Sequence, residues 1–313
     1  MTQSPSNETA PGADWLALGA ALVTVVLWAS AFVGIRAVIH DFGPGALALG
    51  RLLTGAAVLT LVVAIRRPAR PSRRALPFIV GSGVLWFALY MVTLNTAERF
   101  VDAGTASMLV NVGPILIAIL GGLFLNEGFP PRLFAGSAVA FVGAAVIGLA
   151  TSSAASTTDP TAGIVLCLLA AAAYAVGVVL QKPAVRDTPA LTVTWLACVV
   201  GTVVLVPFVP ALVEETRSAS PESIAWMLYL GAFPTALAFT TWAFALSRTT
   251  AGRLGSTTYL VPAIAIILGW FILGEAPPAV AMLGGAIAIG GVVIARSRPS
   301  RRAVAPTPAA AHR

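Results

Sequence analysis

The sequence predicts an all-α polytopic membrane protein, with ten transmembrane helices arranged as two inverted five-helix repeats. Three observations lead there. First, 58% of the 313 residues are hydrophobic and only 10% are charged, and mean hydropathy is +0.91, whereas a soluble domain carries roughly 25% charged residues. Second, the apolar residues fall in blocks near the ~20 residues needed to cross a hydrocarbon core of about 30 Å. Third, the two halves of the chain align with each other in register.

Taken in order, the first block is Trp15–Ile35. It is too long for the apolar region of a cleavable signal, and its flank is acidic (Glu8, Asp14) rather than basic, so it reads as a retained first span. Gly45–Ile65, Ala75–Ala97, Ala103–Asn126 and Leu133–Thr151 complete the first half, residues 15–151. A polar linker, 152–160, precedes the second half, residues 161–296, which holds Thr161–Gln181, Ala190–Val213, Ser223–Ser247, Leu254–Gly274 and Ala279–Ala295. Residues 1–14 and 297–313 are expected to be disordered tails. The 29 glycines suit close helix contacts in lipid, where small residues let backbones approach.

Basic residues orient the spans. With a cytoplasmic amino terminus, the inner segments hold 15 Lys and Arg and the outer ones only Arg36, Arg99 and Arg217. That asymmetry obeys the positive-inside rule and predicts both termini in the cytoplasm of a cell-membrane protein.

The internal repeat is carried by residues that chance matching of apolar helices does not explain. A shift of 148 residues places Ala103-Gly104 on Ala251-Gly252, Pro114 on Pro262, Gly121 on Gly269 and Glu127 on Glu275, then Pro130, Gly136 and Gly143 on Pro278, Gly284 and Gly291. A shift of 146 places Trp28-Ala29 on Tyr174-Ala175, Arg36 on Lys182 and Asp41 on Asp187. Five spans per repeat is odd, so the second repeat enters the membrane upside down. Inverted repeats are an architecture of secondary transporters, with a site near midplane at the repeat interface.

Several function classes are excluded. No GxxxxGK[ST] loop exists, since the sole lysine, Lys182, follows Gln181. Two histidines, His40 and His312, are too few for a haem or histidine-ligated metal site, and neither lies in a span, which also removes a Ser/His intramembrane protease. No aspartate pair lies in the spans for an aspartyl intramembrane protease, and aspartate-rich diphosphate motifs are missing. Cys167 and Cys198 sit in apolar runs and predict no disulfide framework. No cofactor is expected, and the chain is not read as an enzyme. The expected partners are a small-molecule substrate and the bilayer, without nucleic acid, and the expected unit is a monomer.

Candidate site residues follow from what is unusual inside the spans. Pro114 and Pro262 remove the N–H groups that would bond the carbonyls of Val110 and Thr258. In lipid such carbonyls need a partner or a water-lined cavity. Asn111, its counterpart Tyr259, and Thr257 and Thr258 lie beside them. Trp28 and Tyr174, matched aromatics at mid-depth, can stack on a planar or cationic group. Ser30, Tyr90, Asn95, Gln181, Trp195 and Trp242 are further candidates. Arg51 is the one charge well inside a span, six residues from its outer end, or about 9 Å at 1.5 Å per residue. It reads either as an anion site for a substrate carboxylate or as a side chain reaching out to the interface. Glu127 and Glu275 end spans 4 and 9 and read as anchors of adjacent helix ends.

The segments "LWASAFVGIR", "GRLLTG" and above all "VGPILIAILGGLFLNE" and "LVPAIAIILGWFILGE" resemble the EamA family of the drug/metabolite transporter superfamily, over residues 15–296. The resemblance implies an inner-membrane permease, usually an exporter of amino acids, other small metabolites or drugs. The superfamily's small four-span multidrug members use a membrane-embedded glutamate on the first helix; here Trp15–Ile35 and Thr161–Gln181 contain no acid. Metabolite export, driven by the substrate gradient or coupled through a peripheral acid such as Glu98 or Asp102, therefore fits better than proton-coupled efflux of cations.

Overall fold

The computed structural model describes residues 14–38, 40–101, 103–151, 160–273 and 279–297. Asp102, Glu275, residues 1–13, the linker 152–159 and the tail 298–313 lie outside the described residues. Among the described residues the chain is helical, as apolar segments in lipid must be if every backbone N–H and C=O is to be paired within the segment.

The helices are α1 (Trp15–Val38), α2 (Pro44–Arg66), α3 (Leu76–Ala97), α4 (Ala103–Val110), α5 (Gly113–Phe124), α6 (Pro131–Thr151), α7 (Pro160–Asp187), α8 (Ala190–Val204), α9 (Val209–Ser218), α10 (Pro221–Arg248), α11 (Ala251–Gly255), α12 (Leu260–Leu273) and α13 (Ala279–Arg296). Proline opens α2, α6, α7 and α10, where its missing N–H is one of the unpaired donors of a first turn. Ser220 caps α10 by accepting from Ser223 N at 3.1 Å.

Six helices, α2, α3, α6, α7, α10 and α13, are long and apolar enough to cross a bilayer among the described residues. The other segments predicted as spans are helical but shorter or divided. Span 4 divides at Asn111-Val112 into α4 and α5, and span 9 into α11, a 3-10 turn Ser256–Tyr259 and α12. The expected span Ala190–Val213 is not one straight helix: α8 ends at Val204 and the chain bends by 54° into Val206–Ser218, the two together being apolar enough for a broken span. Pro207 and Pro210 cannot donate to a continuing helix, and α9 then carries Glu214, Glu215 and Arg217.

Two π-helical segments interrupt long helices, Gly83–Leu89 in α3 and Gly231–Leu237 in α10, and they lie 148 residues apart. Pro234 cannot donate to Leu230 O, and Thr235, one residue further in the widened turn, donates its Oγ1 to that carbonyl at 2.9 Å. Each π segment opens on a glycine pressed against a neighbouring helix. A Cβ on Gly231 would stand 2.7 Å from Arg51 O and 2.4 Å from Thr54 Cβ; one on Gly83 would stand 2.7 Å from Ala197 O and 2.8 Å from Val200 Cβ. Arg51 and Thr54 correspond to Ala197 and Val200 at the 146-residue shift. The two contacts are thus one contact made twice, α2 on α10 and α8 on α3.

The same reciprocity governs α6 and α13. A Cβ on Gly136 would meet Ala295 N at 2.2 Å and Gly291 O at 2.6 Å, while one on Gly284 would meet Gly143 O at 2.8 Å and Ile147 N at 3.0 Å. Gly136, Ala140 and Gly143 face Gly284, Ala288 and Gly291 with backbones in direct contact, the small-residue packing that replaces hydrophobic attraction in lipid. Gly291→Ala, whose Cβ would fall 2.3 Å from Ala140 N, is expected to lower the melting temperature of the detergent-solubilised protein by the equivalent of about 1–3 kcal/mol. Gly290→Ala, with no atom within 4 Å of the added Cβ, should leave it unchanged or higher; equal melting of the two variants would reject this packing.

Candidate functional site

A cavity of about 120 Å³ opens between the halves. Its wall is built from α1 (Trp28, Ala31, Ile35), α2 (Arg51), α3 (Trp86, Tyr90, Met91, Leu94, Asn95), the α4–α5 break (Val110, Asn111, Pro114), α7 (Tyr174), α10 (Phe239) and the α11–α12 break (Thr258, Val261, Pro262). Of the fifteen candidate site residues read from the sequence, nine line the cavity: Trp28, Arg51, Tyr90, Asn95, Asn111, Tyr174, Thr258, Pro114 and Pro262; Thr257 does not.

Tyr259 does not line it. Its ring packs with Ala140, Ala144 and Val292 on the far side of the 3-10 turn. Trp195 Nε1 donates to Thr60 Oγ1 at 2.9 Å, away from the cavity, and Ser30 Oγ pairs with Tyr229 OH at 2.7 Å. Trp242 lies beneath Trp28, ring centroids 5.1 Å apart, and Gln181 is fully buried with neither amide atom hydrogen-bonded among the described residues.

The apolar wall is an aromatic cluster. Trp86 is 1% exposed and touches Trp28 (6.0 Å), Tyr174 (5.4 Å) and Phe239 (4.8 Å). Such pairs add about 0.5–1.5 kcal/mol each beyond their buried area. Trp28 is held by its own donor, Nε1 to Pro234 O at 3.2 Å. Sequence reasoning missed Trp86 and Phe239, because their repeat counterparts at the 148-residue shift, Pro234 and Met91, are of another kind. Gly113 admits the Tyr174 ring, which would lie 2.7 Å from an added Cβ.

The polar wall is Arg51, Tyr90, Asn95 and Asn111. Arg51 is 7% exposed, so it does not reach out to the interface, and its Nε has no hydrogen-bond partner. It makes no ion pair among the described residues; Tyr90 and Glu98 are its electrostatic neighbours at longer range. Asn95 Nδ2 donates to Pro44 O at 3.1 Å. At the α11–α12 break the hydroxyls of Ser256, Thr257 and Thr258 bond back to the carbonyls of Arg253, Leu254 and Gly255, at 2.9, 2.6 and 2.8 Å, which holds the 3-10 turn. The Tyr174 hydroxyl lies beside Thr258 without a well-formed hydrogen bond. No group of three His, Cys, Asp or Glu side chains among the described residues could hold a metal ion.

Helix ends on the predicted cytoplasmic side are tied together. Glu127 caps α11, its carboxylate accepting from Ala251 N at 2.7 Å and Gly252 N at 3.1 Å. Lys182 Nζ donates to the carbonyls of Leu246, at 2.6 Å, and Thr249. Nearby, Asp14 pairs with Arg248 at 2.9 Å, and that hydrogen bond, with one from Ala17 N, holds the Asp14 carboxyl below its ordinary pKa. Glu127→Gln keeps the shape but removes the charge at the start of α11. It is expected to reduce stability by about 1–2 kcal/mol in thermal melts, whereas Glu214→Gln, whose partner Arg217 is 3.9 Å away in solvent, changes it by under about 0.5 kcal/mol. Equal effects would remove Glu127 from an anchoring role.

This is the fold and the interior of a membrane transporter rather than an enzyme. The EamA-like transporter family pattern matches residues 15–149 and again residues 161–297, and the chain belongs to that family. It is 38% identical over 295 residues, 93% of this chain and 97% of the relative, to a protein of Streptantibioticus cattleyicolor named a probable terminal-alkyne amino-acid exporter. A Salmonella typhimurium protein named a probable amino-acid metabolite efflux pump is 26% identical, over 88% of this chain and 92% of its own. A crystal structure superposes with a TM-score of 0.73 at 20% identity, over 90% of this chain and 96% of that one, and shares the fold.

Proposed function

We propose that the chain is a secondary exporter of amino-acid-type metabolites in the cytoplasmic membrane. Ten spans form two inverted halves, both termini are cytoplasmic, and the cavity between the halves is the transport site. The reciprocal contacts of α2 with α10 and α8 with α3 support two halves related by a two-fold axis. Alternating access then follows from rocking one half against the other about the cavity. The relatives named for amino-acid export support the substrate class.

The single observation that carries the reading is that proline breaks from both halves meet at one small cavity, with aromatic rings on one side and a buried arginine on the other. Efflux of hydrophobic cations fits less well, because no acid lines that wall. The volume favours a small solute too: about 120 Å³ is far below the roughly 300–1,000 Å³ of pockets for drug-sized ligands.

Counterflow in proteoliposomes tests this. Labelled apolar amino acids are expected to exchange, and Trp28→Ala to slow that exchange at least tenfold while the protein still reconstitutes. Exchange of organic cations without any amino acid would overturn the proposal. An imposed pH gradient should change the exchange little, since no acid lines the cavity.

A further inference from the structure

Resting on that reading, we infer that the cavity is a clamp for a free α-amino acid: Arg51 takes the carboxylate, Asn95 Oδ1 and Val110 O take the ammonium, and the Trp28–Trp86–Phe239 wall takes an apolar side chain. The duplicated backbone supplies an internal control for what packing alone requires. Arg51 occupies the same helical position in α2 as Ala197 in α8, each with its carbonyl 2.7 Å from the Cβ position of a π-segment glycine. The twin position is filled by alanine, so close packing there needs no guanidinium. Tyr90 and Asn95 likewise correspond to Ala238 and Ala243 at the 148-residue shift. Three of the four residues of the polar wall, Arg51, Tyr90 and Asn95, thus stand in one half of a fold that holds alanine at the matching positions of the other.

What was added is chemically specific. An arginine within the membrane costs at least about 2.5–3.5 kcal/mol by insertion scales, yet Arg51 is 7% exposed without an ion pair among the described residues. Its planar fork matches a carboxylate bidentately, in surroundings where such a pair is strong. The Asn95 amide is oriented by its environment: Pro44 O is an acceptor and must receive the N–H, which leaves Oδ1 as the acceptor. Val110, whose carbonyl loses its helical donor to Pro114, lines the same cavity. An ammonium with three donors suits those two oxygens. The whole cavity is about 120 Å³, somewhat less than the ~150 Å³ cavity that accepts benzene, so small side chains fit better than indoles.

The test pairs ligand-induced thermal stabilisation of the detergent-solubilised full chain with counterflow, using L-leucine, L-leucinamide and N-acetyl-L-leucine. Leucine should stabilise the protein and exchange, and each blocked analogue should bind at least tenfold more weakly. Arg51→Gln should lose leucine binding at least tenfold while melting without ligand at or above the wild-type temperature, because an unpaired buried charge has been removed. Arg51→Lys should retain part of the binding. Leucinamide binding as well as leucine, or Arg51→Gln binding leucine normally, would overturn the clamp while leaving amino-acid transport standing. Exchange of organic cations with no amino acid would overturn both.

Discussion

The contact on which the rest of this molecule depends is backbone against backbone at Gly83 and Gly231. In lipid, helices gain nothing by burying apolar area against each other, so their association rests on closeness of approach. At both positions a side chain would collide with the carbonyl of Ala197 or Arg51, and both glycines open a π-helical segment. A widened turn shifts the register of the residues beyond it. In α3 the widened segment carries Trp86 and is followed by Tyr90, Met91, Leu94 and Asn95, all of which line the cavity. Seating α2 on α10 likewise fixes where Arg51 enters the cavity wall. The close packing that holds the halves together also sets the shape of the space between them.

Much of this was legible in the sequence because lipid removes alternatives. An apolar block of about 20 residues has to be a helix, and a proline within it has to leave a carbonyl free. Hence the breaks at Pro114 and Pro262 could be placed; of the residues named beside them, Asn111 and Thr258 line the cavity, and Thr257 and Tyr259 do not. Asn111 lines the cavity, but its counterpart sits in a 3-10 turn held by three hydroxyl-to-carbonyl bonds, and the altered turn swings the ring into the packing of α6 and α13. A repeat alignment transfers positions along the chain, and the two breaks differ in turn geometry, a turn at Asn111-Val112 against a 3-10 turn at Ser256–Tyr259, so matched positions occupy different faces.

The missed residues have a related cause. Trp86 and Phe239 pack at the centre of the cavity wall, but an alignment of the halves pairs them with Pro234 and Met91. Identity between halves marks what packing needs, as at the glycines, the prolines and Glu127, which matches Glu275 in sequence. Glu127 illustrates that class, since it bonds α11 and stands outside the cavity wall. Difference between halves, at positions with equivalent surroundings, marks what the fold does not need. The alanines opposite Arg51, Tyr90 and Asn95 are differences of that kind.

The sign of the buried charge then bears on how such a carrier turns over. An empty cavity holding an unpaired guanidinium is poorly solvated once it closes to water, and a cation entering it meets repulsion with no acid on the wall to offset it. A zwitterion brings its own counter-charge to Arg51 and leaves its ammonium on backbone and amide oxygens. Its net charge is zero, so its passage adds no electrical work against the membrane potential. Closure around the loaded site is therefore easier than closure around the empty one. On this argument the substrate itself completes the interior of the bundle, and the step that commits the carrier to crossing is the pairing of a carboxylate with Arg51.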